Sequence, residues 1–489
     1  MKTRIPLCFV LSAFILIAGC RKNADLTDAD SRTMFPDYTD ITVPCNIAPL
    51  NFRIAAAHRI SVDVTGVSET YSFESRGSLM KFPMKKWKSM LSSEKGGTVD
   101  VNVRYVDENS GEEVSLSPFH WTVSEDSIDR YMSYRLISPA YEVWNSISVA
   151  ERDMETFRIR LLGDNSNAEK CCMNCHTSNG AGTSYIHLRG ANGGTVLNRN
   201  GDLIKLNTKT DSTMGGAVYG DISRDGRYGV FAAANITFGM HSQWNRRMEV
   251  YDTGSDLLVI DFDSLTVTDS KAVKGLEYQE TFPCFSADGR VILFCRARHL
   301  EQPDSTMQMM YDIAAVSFNP ETGQIGENVR TLVSGARHGV SFSHLKCSPD
   351  NRFLLVTAAS YGTFPVWHPE AELWLIDMTN GKINTMPETN AYGADTYHSW
   401  SSNSRWIAFA SKRDDNIYGR PYIAYVDKEG RTGKPFLLPQ KNPDVYKTTM
   451  KSYNLPELYQ VKEVYNARKT ASFYNHIECE QVRYKSGLK

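Results

Sequence analysis

The sequence predicts an all-β protein, with an N-terminal β-sandwich followed by a β-propeller of about six blades. Three observations lead there. One hairpin pattern recurs four times in the C-terminal half. Strand-like runs in the region before it alternate apolar and polar residues. Between the repeated strands no helical periodicity intervenes.

The chain opens on a processing segment. Lys2 and Arg4 give a positive start, and Leu7 to Ile17 give an apolar run too short for a permanent membrane helix. Residues 1–19 therefore read as a cleaved export signal. Its end, Leu16-Ile17-Ala18-Gly19-Cys20, resembles the lipobox of bacterial lipoproteins, a resemblance that implies lipidation at Cys20. Residues 20–41 are polar and carry Asp25, Asp28, Asp30, Asp37 and Asp40, as expected of a tether. The expected location is the bacterial cell envelope, lipid-anchored in the outer membrane and facing the periplasm. An unmodified Cys20 behind a plain secretory signal is the alternative.

Residues 42–165 read as the sandwich. Ile60-Ser-Val-Asp-Val-Thr and Thr98-Val-Asp-Val-Asn-Val-Arg-Tyr-Val alternate as half-buried strands do, and one short helix is expected from Met84 to Leu91.

Residues 166–190 hold Cys172-Met173-Asn174-Cys175-His176, the attachment pattern for a c-type haem. Two thiols two residues apart can add to the two vinyl groups on one porphyrin edge, and the adjacent imidazole reaches the iron. Cys172 and Cys175 are the expected attachment points and His176 the proximal ligand of one covalent haem c. For the distal position His187 is favoured, with Met214, Met240 and His241 as rivals. A redox disulfide, a zinc site and an unloaded relic remain the alternatives at the motif. Six further cysteines form no disulfide framework; a Cys284–Cys295 pair across a hairpin is one option.

The propeller is expected over residues 185–489. Its repeats begin at Asp221, Cys284, Lys346 and Ser399, with turn residues at Asp225, Asp288, Asp350 and Asn403, spaced by 63, 62 and 53 residues. Asp-Gly or a relative turns the chain and a β-branched or aromatic strand follows. In the fourth copy Asn403-Ser404 replaces Asp-Gly, and a type I turn is expected to absorb the change. At about 50 residues per blade there is room for six, two of them without the signature, which leaves five or seven open. These units resemble the TolB-type periplasmic propellers through the Ser-x-Asp-Gly-Arg hairpin and its following strand, over residues 185 to about 440. The resemblance implies a six-bladed fold that binds proteins or small ligands. Tyr131 to Trp144, together with the order sandwich, Cys-x-x-Cys-His and propeller, resembles a Bacteroidetes-type lipoprotein group.

The formal net charge is −2 and no Lys/Arg run appears, so nucleic acid is not an expected partner. No Gly-x-Ser-x-Gly elbow supports a hydrolase. The expectation is a lipid-anchored monohaem electron carrier whose propeller docks a protein partner from the redox chain or the envelope. The alternative is a non-enzymatic propeller lipoprotein that binds an envelope protein or ligand, with haem absent or structural. His338, His344, His368 and His398 are read as structural or surface residues, Trp367 to Glu370 as a loop between blades, and Arg413 to Asp415 as a solvated turn.

Overall fold

The computed structural model describes residues 34–139, 146–169, 171–173, 175–300 and 309–485. The signal segment and Cys20 lie outside the described residues. The tether is shorter than expected, because folded structure has begun by Met34–Phe35, which pairs with Phe52–Ile54. Tyr38 is fully buried, and its carbonyl accepts the Trp121 indole N–H at 2.7 Å.

The N-terminal unit is built on a six-stranded sheet with Ile41–Pro44, Phe119–Ser124, Thr98–Asp107, Ala57–Thr65 and Thr70–Arg76 in spatial order and Glu113–Ser115 beside Thr98–Asp107. Burial alternates along Thr98–Asp107, so one face is wet and one is dry. A three-stranded sheet (Met34–Phe35, Phe52–Ile54, Leu79–Met80) and the helix Met84–Ser93 share the core of the dry face. Trp87 of that helix meets Trp121 edge-on at 5.6 Å between ring centroids.

The strands that follow form the propeller. Blade one comprises His176–Ser178, Thr183–Leu188, Gly194–Arg199 and Asp202–Asn207. Blade two comprises Ala217–Ile222, Tyr228–Gln243, Arg246–Asp261 and Thr266–Thr268. Blades three, four and five start at Tyr278–Phe285, Ser341–Cys347 and Thr396–Trp400. In all five the first strand lies nearest the axis.

The sixth blade closes the ring. Its inner strand, Ser452–Tyr459, comes from the far end of the chain and pairs antiparallel with Tyr131–Ile137, followed outward by Ile147–Asp153 and Ile159–Asp164. Tyr131–Ile137, Ile147–Asp153 and Ile159–Asp164 thus belong to the propeller and not to the sandwich, which ends near residue 128. The haem motif is likewise no separate segment, since it enters blade one. After the inner strand, the helix Ala467–His476 packs on Ile159–Asp164. Glu480–Gln481 and Arg483–Tyr484 then add parallel strands to the outer edges of blades one and two. Those edges would otherwise present unpaired backbone groups.

Blade strands are buried on both faces because each blade lies between two others. Phe353–Ala359 and Trp406–Ser411 are buried at every position, unlike the alternating Thr98–Asp107.

The repeated turns share one hydrogen-bond set. Asp225, Asp288 and Asp350 each accept the hydroxyl of the Ser two residues earlier at 2.6 Å and the N–H of the Arg two residues later at 3.1–3.2 Å. Asn403 makes both contacts, to Ser401 and Arg405, in the fourth copy. The same turn absorbs the change in the fourth copy: the Ser404 N–H bonds the Ser401 carbonyl at 2.9 Å as Gly226 bonds Ser223 at 2.8 Å, and Ser404 takes the left-handed φ of 61° that Gly226 and Gly289 take at 74° and 69°.

Candidate functional site

A cavity of about 320 Å³ sits on the propeller axis, lined from the inner strands of all six blades. Cys172, Cys175 and His176 line it, so the sequence motif and the axial cavity coincide. Blade four contributes His344 and Lys346, blade five Tyr397 and His398, and blade six Arg135 and Glu457.

The inner strands reach the cavity through a shared irregularity. Blades three, four and five each shift register inside the inner strand, at Thr281/Cys284, Ser343/Lys346 and Thr396/His398. At these bulges Phe282, His344 and Tyr397 take φ of 47°, 53° and 46°, and Leu455 in blade six takes 52°. Left-handed backbone is costly for such residues, and bulges of this kind re-aim side chains at functional sites.

The haem motif is the counterpart in blade one. Cys172 bridges to Arg189, the Cys175 carbonyl accepts the His187 N–H at 3.0 Å, and His176 pairs with Ile186. The motif thus takes five positions, 172–176, against four on the partner side, 186–189, and Cys175 carries the left-handed φ of 63°. Met173 turns the other way into the core, where its sulfur lies 2.9 Å from where a Cβ on Gly163 would stand.

His176 is buried, and by strict geometry neither ring nitrogen makes a hydrogen bond, the Leu455 backbone being the one polar group that bears on the ring. Burial, reinforced by the Arg135 and Lys346 charges, pushes its pKa down to about 3. A neutral imidazole with available lone-pair capacity faces the axial cavity. Such a buried unpaired nitrogen is costly unless a ligand completes it.

Ring contacts run round one side of the axis. Tyr219 stacks on Phe282 at 4.3 Å, Phe282 meets His344 at 4.3 Å, and His344 meets Tyr397 at 4.7 Å. Deeper in, Lys346 reaches Asp221 at 3.0 Å, Thr177 at 3.4 Å and Glu457 at 3.9 Å. Desolvation opposes the charge of Lys346, but Asp221 and Glu457 outweigh it and raise its pKa. Burial lifts the Glu457 carboxyl to about 7 against the pull of Lys346 and Thr177.

Two cations at the cavity wall lack complete partners. Arg135 is buried with Nε and Nη1 unpaired, and Lys412 is buried with Nζ unpaired, 2.9 Å above the Trp367 ring. Burial drives the Lys412 pKa well below its usual value. The outer side is bounded by the long hairpin of blade two, whose Ile236, Phe238, Met240, Met248 and Val250 line the space. Arg246 of the hairpin pairs with Glu370 at 2.6 Å, and Glu249 with His368 at 3.0 Å.

The residues expected around the iron fare differently. His187 does not line the cavity: its Nδ1 contacts the Thr195 hydroxyl at 2.8 Å and its Nε2 the Val218 carbonyl at 2.9 Å. Both nitrogens are engaged in the sheet, so the geometry does not support it as the distal ligand. Met214 lies against Gly254 and His241 is exposed on the hairpin, both away from the lining. Met240 lines the cavity from its outer side, 43 % exposed.

Other expectations need correction. Cys284 faces Leu293 and Cys295 faces Thr281 in the ladder, so these buried thiols are not cross-strand partners. Trp367 to Glu370 connects two strands within blade four rather than two blades, and Trp367 lines the cavity. Arg413 is paired with the fully buried Asp395 at 3.0 Å, and Asp414 accepts the Tyr422 hydroxyl, so that turn is not merely solvated. Among the described residues no three His, Cys, Asp or Glu side chains gather to hold a bare metal ion.

The residues sequence reading missed carry a signal after all. Tyr219, Phe282, His344 and Tyr397 each stand four residues before the Ser that opens the repeated turn: Ser223, Ser286, Ser348 and Ser401. The repeat phase marks the axial ring.

The donor set suits a haem bound through Cys-x-x-Cys-His. Two thiols and an unpaired imidazole line one mainly apolar cavity, and Arg135 and Lys412 are placed to meet carboxylates.

No family model and no curated protein match the chain. Among solved structures it is similar to a GH74 enzyme from Niastella koreensis (10% identity, TM-score 0.38, covering 62% of this chain and 44% of that one). It is also similar to the tricorn protease (9% identity, TM-score 0.37, 80% and 43% covered). A third is the periplasmic gluconolactonase PpgL of Pseudomonas aeruginosa (16% identity, TM-score 0.32, 64% and 97% covered). The chain spans less than half the length of the first two. These neighbours are β-propeller proteins, and the fold assignment here rests on the sheet topology of the chain itself.

Proposed function

We propose that the protein is an exported, lipid-anchored monohaem c-type cytochrome that carries single electrons, with the propeller as both the haem cage and the docking domain. One observation carries the reading: Cys172, Cys175 and His176 line a single axial cavity in which neither His176 ring nitrogen makes a well-formed hydrogen bond. Cys172 and Cys175 would hold the porphyrin edge and His176 the iron. Arg135 and Lys412 would meet the propionates, whose charge would offset the cost of keeping these cations buried. Bound haem supplies a one-electron couple. The chain's own residues fix its orientation through rigid inner strands and limit water through the apolar hairpin, and both features set the potential. Export and lipidation at Cys20 fit the same reading, because thioether attachment belongs to compartments outside the cytoplasm. A protein redox partner in the envelope completes it.

The test is a pyridine haemochrome spectrum on protein matured in a host with c-type haem assembly, beside Cys175→Ala. Expected is a c-type spectrum that survives acid–acetone extraction in the wild type and is altered or extractable in the variant. A featureless spectrum from folded, matured protein overturns the reading. The cavity with its two unpaired cations then supports the second reading, a propeller that binds an anionic, largely apolar ligand.

A further inference from the structure

Resting on that reading, we propose that His344 is the second protein ligand of the haem iron, making the site a closed bis-histidine electron carrier rather than an open centre for small-molecule chemistry. His344 lies in blade four, opposite blade one in the six-membered ring and hence opposite His176. The two inner strands face each other within a lysine's length, since Lys346, two residues after His344, reaches Thr177, the residue after His176. Both histidines line the one cavity.

Availability separates His344 from every other candidate. Its Nε2 is buried and has no hydrogen-bond partner, whereas Nδ1 lies 3.0 Å from the Ser343 hydroxyl. This arrangement suits a haem-ligating imidazole: one nitrogen is open to the metal, and the other is held by a neighbour that fixes the ring. Phe282 and Tyr397 flank the ring at 4.3 and 4.7 Å and limit its rotation.

The rivals are committed elsewhere. His398 has Nε2 on the Leu355 carbonyl at 3.0 Å and Nδ1 on the Thr357 hydroxyl at 3.5 Å. Both nitrogens of His187 are bound in blade one. Met240 stands on the partly exposed hairpin, on the outer side of the cavity.

The experiment uses full-length matured protein and reads ferric electron paramagnetic resonance and magnetic circular dichroism on wild type, His344→Ala, His344→Met and Met240→Ala. Covalent haem content from the haemochrome assay is the parallel control. Expected are a low-spin bis-imidazole spectrum in the wild type, its loss in His344→Ala with covalent haem retained, and its return on adding imidazole. His344→Met should show the far-red methionine–iron band and a raised potential, with Met240→Ala unchanged. Imidazole rescue and His344→Met show that a spectral change reflects ligation rather than misfolding. A wild-type centre that is already high-spin, or a bis-imidazole spectrum that persists in His344→Ala, overturns the assignment while leaving the haem in place. A spectrum moved by Met240→Ala instead reassigns the ligand. Absence of covalent haem from the wild type overturns the underlying reading as well.

Discussion

Buried titratable groups in this protein divide by whether a neighbour completes them. The Asp252 carboxyl is one left largely to itself: it is buried, Oδ2 has no partner, and burial lifts its pKa to about 7 against a weaker opposing contact from Thr281. Its folded value lies above the unfolded one, so the native state keeps a proton that the unfolded chain releases. Stability from this group is therefore fully present below the ordinary aspartate value of 3.8 and is lost as pH rises through about 7. Asp252→Asn imitates the protonated form. Urea unfolding should show the variant more stable than wild type by about 1–3 kcal/mol at pH 8 and about equal to it near pH 4. Equal curves at pH 8 would mean that Asp252 is solvated in solution. His176 differs because its unpaired nitrogens face a cavity with two thiols beside it, which is why it points to a ligand and Asp252 to a stability cost.

The repeated hairpin turn is the unit that fixes each blade, and its side chains also join neighbours. Asn351 accepts the Ala287 N–H at 3.0 Å, and the Ser404 hydroxyl accepts the Asp350 N–H at 2.9 Å, so one blade's turn holds the next. Asn403 also ties blade five to the N-terminal unit, because Nδ2 donates to the Ser127 carbonyl at 2.8 Å. Asn403→Ala removes the turn acceptor and this tie together, and the expected loss is about 1–2 kcal/mol, read as a lowered melting midpoint. Asn403→Asp keeps the acceptor and should recover part of that loss. If both variants melt like wild type, the turn does not set blade stability. The element pattern was legible in the sequence wherever a short-range rule applied: the four turns, the alternating strands and the helix from Met84 all follow from local chemistry. The axial bulges were not, because a one-residue register shift depends on the partner strand.

Closure is the property of the whole molecule. Ser452–Tyr459 supplies the inner strand of blade six and also contributes Asn454 to Glu457 to the cavity wall. The N-terminal unit shares its hydrophobic core with blade five, where the Trp406 indole N–H donates to the Asp126 carbonyl at 3.1 Å. Buried Arg152 adds a bond to the Pro439 carbonyl at 2.9 Å. Deleting residues 452–489 leaves Tyr131–Ile137 without its inner partner and the ring open. Calorimetry should then show no cooperative transition for the propeller. Deleting only residues 478–489 removes the two outer straps, and a cooperative transition at a lower temperature is expected. Cooperative melting of the longer truncation would refute closure through this strand.

The sequence by itself determined the β class, the repeat and the one chemically distinctive motif, because each is written in residues within a few positions of one another. Tertiary structure decided that residues 131–164 close the propeller rather than the sandwich, since a strand's partner three hundred residues away leaves no local trace. It also decided which histidines are available. His187 and His344 look alike in sequence, yet the sheet engages both nitrogens of one and leaves Nε2 of the other facing the cavity. Hydrogen-bond satisfaction is a property of the assembled neighbours, and only the closed ring supplies them.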